Sequence, residues 1–92
     1  VQRDTAEILA LRALGWLAGS EVLLPGFLAA SGLGLAELST RARDPDLLGA
    51  VLDFLLSQDV WLIDCAAALG ERPEVLLAAR RALPGGEVPH WT

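Results

Sequence analysis

The sequence predicts an all-α fold, a compact bundle of about six short helices, and three observations carry that prediction. Hydrophobic residues fill 53% of the 92 positions, and most of them are Ala and Leu, which favour helix over strand. They recur at helical spacing, most plainly from Asp44 to Gly70 (DPDLLGAVLDFLLSQDVWLIDCAAALG), where two apolar helical patterns stand back to back. Sliding the chain against itself by 38 residues brings the two halves into register, the mark of a duplicated unit. A single helical domain over residues 1–83 follows, built of two pseudo-symmetric three-helix units, 5–43 and 44–83, with an irregular tail at 84–92.

The first helix is expected to begin at Asp4 or Thr5, with Asp4 and Glu7 spaced as a capping box, and to close at Gly19. The second starts at Ser20 and Glu21. Pro25 cannot donate to the Glu21 carbonyl, so a short first turn and a kink should precede the continuation to Gly32. A short third helix runs from Leu35 to Arg43 with Gly34 as its N-cap. The fourth, Pro45 to Leu56, has the sharpest start: Asp44 caps, Pro45 brings a helical φ, and Asp46 meets the positive dipole end. Ser57, Gln58 and Asp59 interrupt the pattern before a fifth helix, Asp59 to Leu69, ends at Gly70. The sixth spans Pro73 to Leu83. The core expected from these patterns is Leu14, Trp16, Leu17, Phe27, Leu28, Val51, Leu52, Phe54, Leu55, Leu62, Ile63, Leu76 and Leu77.

At the 38-residue offset Leu9, Leu14, Leu17, Val22, Leu24, Gly32 and Leu38 fall on Leu47, Leu52, Leu55, Val60, Leu62, Gly70 and Leu76. The substitutions inform more than the identities. Leu23 and Phe27, stacked four apart on one helix face, correspond to Trp61 and Cys65, so small–large has become large–small with volume roughly kept.

Charge excludes several classes. The net charge of −5 opposes binding to phosphate backbones. It is also localised: residues 1–43 carry four Arg and four acids, whereas residues 44–71 carry six acids and no base. Arg41, Arg43, Arg80 and Arg81 near helix ends suit the negative dipole ends, and a helix-turn-helix nucleic-acid binder, one alternative, lacks a basic recognition helix. The longest uncharged run, Val22 to Ala36, has 15 residues and holds Pro25, Gly26, Gly32 and Gly34, too short and broken to cross a bilayer. Arg3, Asp4 and Glu7 interrupt the segment where a signal peptide needs an apolar run, so a cytoplasmic protein is expected.

Chemistry-bearing side chains are sparse. Cys65 and His90 are the sole thiol and imidazole, and a hydrolase or redox site built on them, a second alternative, requires the tail to fold back over the second half. Cys65 stands on an apolar face, where cysteine behaves as a small hydrophobe. One His, one Cys and scattered carboxylates offer no metal-ligand pair, and Asp44, Asp46, Asp53, Asp59 and Asp64 fall at caps or polar faces without an EF-hand spacing. Gly32 and Gly34 in SGLGL lack the preceding strand of a dinucleotide fold. The chain is therefore expected to be no enzyme and to hold no cofactor or metal.

The segment WLAGSEVLLPGFLAASGL from Trp16 to Leu33, the run D-P-x-x-L-x-A-V-L-D-x-L-L from Asp44 to Leu56, and R-R-A-L at Arg80 to Leu83 together resemble a family of short bacterial helical proteins known only as a domain of unknown function. The resemblance implies the helical fold and no catalytic residue.

A partner surface is the remaining expectation. The polar outward positions of the fourth helix, Asp46, Gly49, Ala50 and Asp53, correspond in the first to Ile8, Leu11, Arg12 and Gly15, so the first helix is apolar nearly all round. Ile8, Leu11 and Ala18 around Gly15 form an expected interaction patch, suited to a protein partner or to a homodimer, with Gly15 admitting a close helix. Trp91 in the tail is the other candidate to cover it. No nucleic-acid or membrane partner is expected.

Overall fold

The computed structural model of the chain describes residues 2–84 and has six helices: α1 Arg3–Ala18, α2 Leu23–Ser31, α3 Leu35–Thr40, α4 Pro45–Leu56, α5 Asp59–Leu69 and α6 Pro73–Ala82. No described residue forms a strand. The tail beyond Pro84, with His90 and Trp91, lies outside the described residues.

Local chemistry sets most helix limits. Asp44 Oδ1 accepts from Asp46 N at 2.9 Å and Pro45 takes the first helical position, as expected for α4. Gly70 closes α5 in a left-handed conformation at φ 71°, with Glu71 N donating to the Ala66 carbonyl at 2.9 Å and Gly70 N to that of Ala67 at 3.2 Å. These are the two bonds of a Schellman ending. The expected capping box of α1 does not form: the N-cap is Gln2, and Glu7 accepts instead from Arg3 Nε at 3.2 Å. Ser20 does start the approach to α2, its Oγ accepting from Leu23 N at 3.0 Å. The helix itself begins at Leu23, which puts Pro25 in the first turn, where an N–H has no intrahelical acceptor. In place of the expected kink, α2 runs on uninterrupted to Ser31. Helix α3 stops at Thr40, three residues early, with Thr40 Oγ1 bonded to the carbonyls of Ala36 and Glu37.

Helix α1 is the central member, lying against α6 and α4 most extensively and against α5 and α2 less so. Its inward face is Ala6, Leu9, Ala10, Ala13, Leu14 and Leu17, all buried. Opposite it stand Leu47, Leu48, Val51, Leu52 and Leu55 of α4 and Leu76 and Ala79 of α6, with Phe27, Leu38 and Cys65 closing the ends. No polar side chain among the described residues is buried, so cohesion rests on apolar packing.

Six of the thirteen expected core residues sit elsewhere. Ile63 is 54% and Leu77 39% exposed. At 100° per residue Ile63 groups with Val60 and Ala67, away from the Cys65 and Ala66 face through which α5 packs, and Leu77 lies on the far side of α6 from Leu76 and Ala79. Trp16, Leu28, Phe54 and Leu62 pack against the core while remaining partly exposed. Burial repeats at the 38-residue offset for Leu9 and Leu47, Ala13 and Val51, Leu17 and Leu55, Phe27 and Cys65, and Leu38 and Leu76. Packing partners repeat only in part: α1 meets α2 and α5 as α4 meets α5 and α2, but the third helices of the two units differ. Helix α6 lies along α1, whereas α3 makes no comparable contact with α4.

Two arginines tie helices across the bundle. Arg80 of α6 reaches Asp53 of α4 in a bidentate pair, Nε to Oδ1 at 2.6 Å and Nη2 to Oδ2 at 2.9 Å, and also donates to the Pro84 carbonyl at 3.0 Å. Arg12 of α1 donates to the Leu69 carbonyl at 2.6 Å and stands 3.5 Å from Glu71, meeting the negative end of α5.

Leu76→Ala should lower unfolding stability by about 2–5 kcal/mol, since it opens a cavity at a fully buried site. Ile63→Ser should change it by no more than about 0.5 kcal/mol. Urea unfolding followed by circular dichroism separates the two, and a larger loss at Ile63 would mean that α5 buries its other face.

Candidate functional site

The outward strip of α1 borders a cleft. Ile8 is 61% exposed, Gly15 and Ala18 are exposed, and Leu11 is half-buried. Leu11, Leu14, Gly15 and Ala18 form one wall and Leu35, Leu38 and Ser39 of α3 the other, around about 420 Å³. A Cβ added at Gly15 would meet no atom within 4 Å, so the space above that residue is open. A smaller recess of about 220 Å³ shares Leu11 and extends past Ile8 to Asp4, Glu7, Arg43 and Leu48. Four of the five expected partner residues, Ile8, Leu11, Gly15 and Ala18, thus lie along one strip, and the fifth, Trp91, is outside the described residues.

Among the described residues no side-chain hydrogen bond or ion pair joins α1 to α3. Between α4 and α6, Arg80 and Asp53 clasp the two helices, and a Cβ at Gly49 would come within 3.1 Å of Arg80 Nη1. At the 38-residue offset the residues corresponding to Asp53 and Arg80 are Gly15 and Ala42, which can form no such pair. Helix α3 has only six residues and leaves Leu35 61% exposed.

A second groove, unforeseen from the sequence, lies between the ends of α2 and α4 and the start of α5, with about 500 Å³ of space. Phe27, Phe54 and Trp61 run through it as a ladder. Phe27 meets Phe54 edge-on at 5.5 Å and 71°, and Phe54 stacks on Trp61 at 4.9 Å and 22°. Ala30, Ser31, Ala50, Asp53 and Ser57 complete the lining. The only sequence signal for it was that three of the chain's five aromatics fall on three different helices, α2, α4 and α5.

Cys65 is fully buried, and loss of hydration pushes its thiol up to about 11. The proposed imidazole partner, His90, lies outside the described residues. Among the described residues no three His, Cys, Asp or Glu side chains are placed to share a metal ion. The four arginines read as helix-end charges divide. Arg41 pairs with Asp44, Nη2 to Oδ2 at 2.8 Å, and this hydrogen bond, with the Asp46 N–H behind it, holds the Asp44 carboxyl below its usual range. Arg80 turns inward to Asp53, while Arg43 and Arg81 are exposed. No single described helix is long and apolar enough to cross a membrane.

A family model described as "Protein of unknown function (DUF3572)" matches residues 3–86. No curated protein and no solved structure matches the chain.

The raised Cys65 value makes stability pH-dependent in a defined window. In the unfolded chain the thiol ionises near 9, in the folded one near 11, so the folded state binds more protons between these values. This group leaves stability unaffected below about pH 9 and lowers it as pH rises towards 11, by at most about 1.4 kcal/mol per unit. Cys65→Ala should abolish that slope in urea titrations, and in the native wild-type protein a thiol reagent should react only as fast as the chain opens.

Proposed function

Because the chain belongs to the DUF3572 family, whose description assigns no activity, we propose from its own surface that it is a non-catalytic interaction module that self-associates through the outward strip of α1. The observation that carries this reading is the open cleft beside Gly15, apolar on both walls and flanked by the exposed Ile8 and Leu35. Contiguous exposed apolar surface of this kind is costly in water and suits a partner helix.

Charge favours a second copy of the chain as that partner. Two molecules of net charge −5 repel, and they do so least through a side where charges balance. Residues 1–43, which supply both walls of the cleft, hold four Arg and four acids. The strip is also self-complementary. Ile8 and Gly15 are two helical turns apart, about 10.5 Å. Antiparallel pairing of α1 with its copy sets each Ile8 over the Gly15 of the other molecule, with Leu11 near the two-fold axis. The sealed Cys65, its thiol held neutral, speaks against nucleophilic chemistry at that position.

Light scattering should find a dimer that Leu11→Asp converts to monomer with an unchanged circular dichroism spectrum. Removing residues 85–92 should leave the dimer intact. A wild-type protein monomeric at high concentration, or one that dimerises only after that deletion, would overturn the proposal and leave the tail as the cover of α1.

A further inference from the structure

The groove floored by Phe54 and Trp61 has a charge setting unlike that of the α1 cleft. Two helices end beside it: α2 at Ser31 and α4 at Leu56, followed by Ser57, both serines lining the groove. Each helix presents the negative end of its dipole there, and neither has a basic residue in its last turn. By contrast, α5 is met at its end by Arg12, and α6 carries Arg80 and Arg81 in its own last turn.

The nearest guanidinium does not redress this at the surface. The Arg80 side chain is only 12% exposed, its Nε and Nη2 donating to Asp53 and its Nη1 to the Pro84 carbonyl, while the Asp53 side chain is 59% exposed. Solvent therefore meets the carboxylate, and the cation lies beneath it. The stretch that supplies Ala50, Asp53, Phe54, Ser57 and Trp61 belongs to the segment with six acids and no base. A second copy of this chain would bring its own negative charge to the same place, so self-association is disfavoured here.

We infer that this groove docks an amphipathic helix of another protein, one that lays an apolar face on Phe54 and Trp61 and places a Lys or Arg between Asp53 and the ends of α2 and α4. The cation gains the carboxylate and the two dipole ends together, and its stem or guanidinium lies along the Trp61 ring. A groove of about 500 Å³ accepts one or two large side chains of such a helix, which is the helix-in-groove mode of recognition.

The test titrates the isotopically labelled protein with a synthetic amphipathic peptide of about 16 residues, Leu and Phe on one face flanked by Lys, and with the same peptide carrying Glu for Lys. Nuclear magnetic resonance shifts should cluster at the Trp61 indole N–H and the amides of Ala30, Ser31 and Ser57. The Glu peptide should bind at least about tenfold more weakly, and added salt should narrow that difference. Ala30→Arg, at an exposed position of α2 that leaves the core untouched, should abolish the shifts, whereas Leu11→Asp should leave them unchanged whether or not the protein dimerises. Equal binding of both peptides, shifts centred on the α1–α3 cleft or spread over the surface, or no shifts at all would overturn the inference.

Discussion

Three alanines govern the rest of the molecule. Ala6, Ala10 and Ala13 are completely buried on one side of α1, and Ala79 of α6 is equally buried. Small side chains at helical spacing let neighbouring backbones come close, and the larger residues around them, Leu9, Leu14, Leu17 and Leu76, interlock at the edges of that contact. With α1 held this tightly between α4 and α6, only its opposite side is left for the α3 cleft. The surface proposed for self-association is thus largely the complement of the packing surface on the same sixteen-residue helix, Leu14 bordering both.

Features encoded within a few residues were legible in the sequence. Asp44-Pro45-Asp46 and Gly70 act through local backbone chemistry, and α4 and α5 begin and end where those residues place them. The outward strip of α1 was read by comparison with the polar positions of α4 at the 38-residue offset, since α1 is apolar nearly all round and its periodicity alone does not mark the outward face. Legibility failed where a residue had two uses. Glu7 has the spacing of a capping box but also sits four residues from Arg3, and the ion pair wins. Ile63 and Leu77 are as apolar as their buried neighbours, and only the orientation of α5 and α6 against α1 decides that they face water.

Long-range pairings were not legible at all. Arg80 has the spacing of a helix-end cation, and nothing near it in the chain points to Asp53, 27 residues earlier. Arg12 appeared to be a solvent-facing charge, whereas it meets the end of a helix 57 residues away. The aromatic ladder belongs to the same class, because Phe27, Phe54 and Trp61 come together only when α2, α4 and α5 converge. Both grooves are products of such convergence. One wall of each can be read from a single helix, and the other depends on the tertiary arrangement.

The closeness of α1 and α6 also has a bearing on how the chain acquires its structure. The most extensive helix contact joins the first helix to the last, so its closure must await nearly the whole domain. During synthesis the alanine face of α1 leaves the ribosome before Pro73–Ala82 exists to cover it, and α4, with smaller contributions from α5 and α2, is what can hold it in the interval. Contacts between residues so distant along the chain close more slowly than those between neighbouring helices. An apolar helix that stays partly uncovered until the final turn is made would pair with whatever lies near, and a neighbouring nascent copy would present the same alanine face of α1.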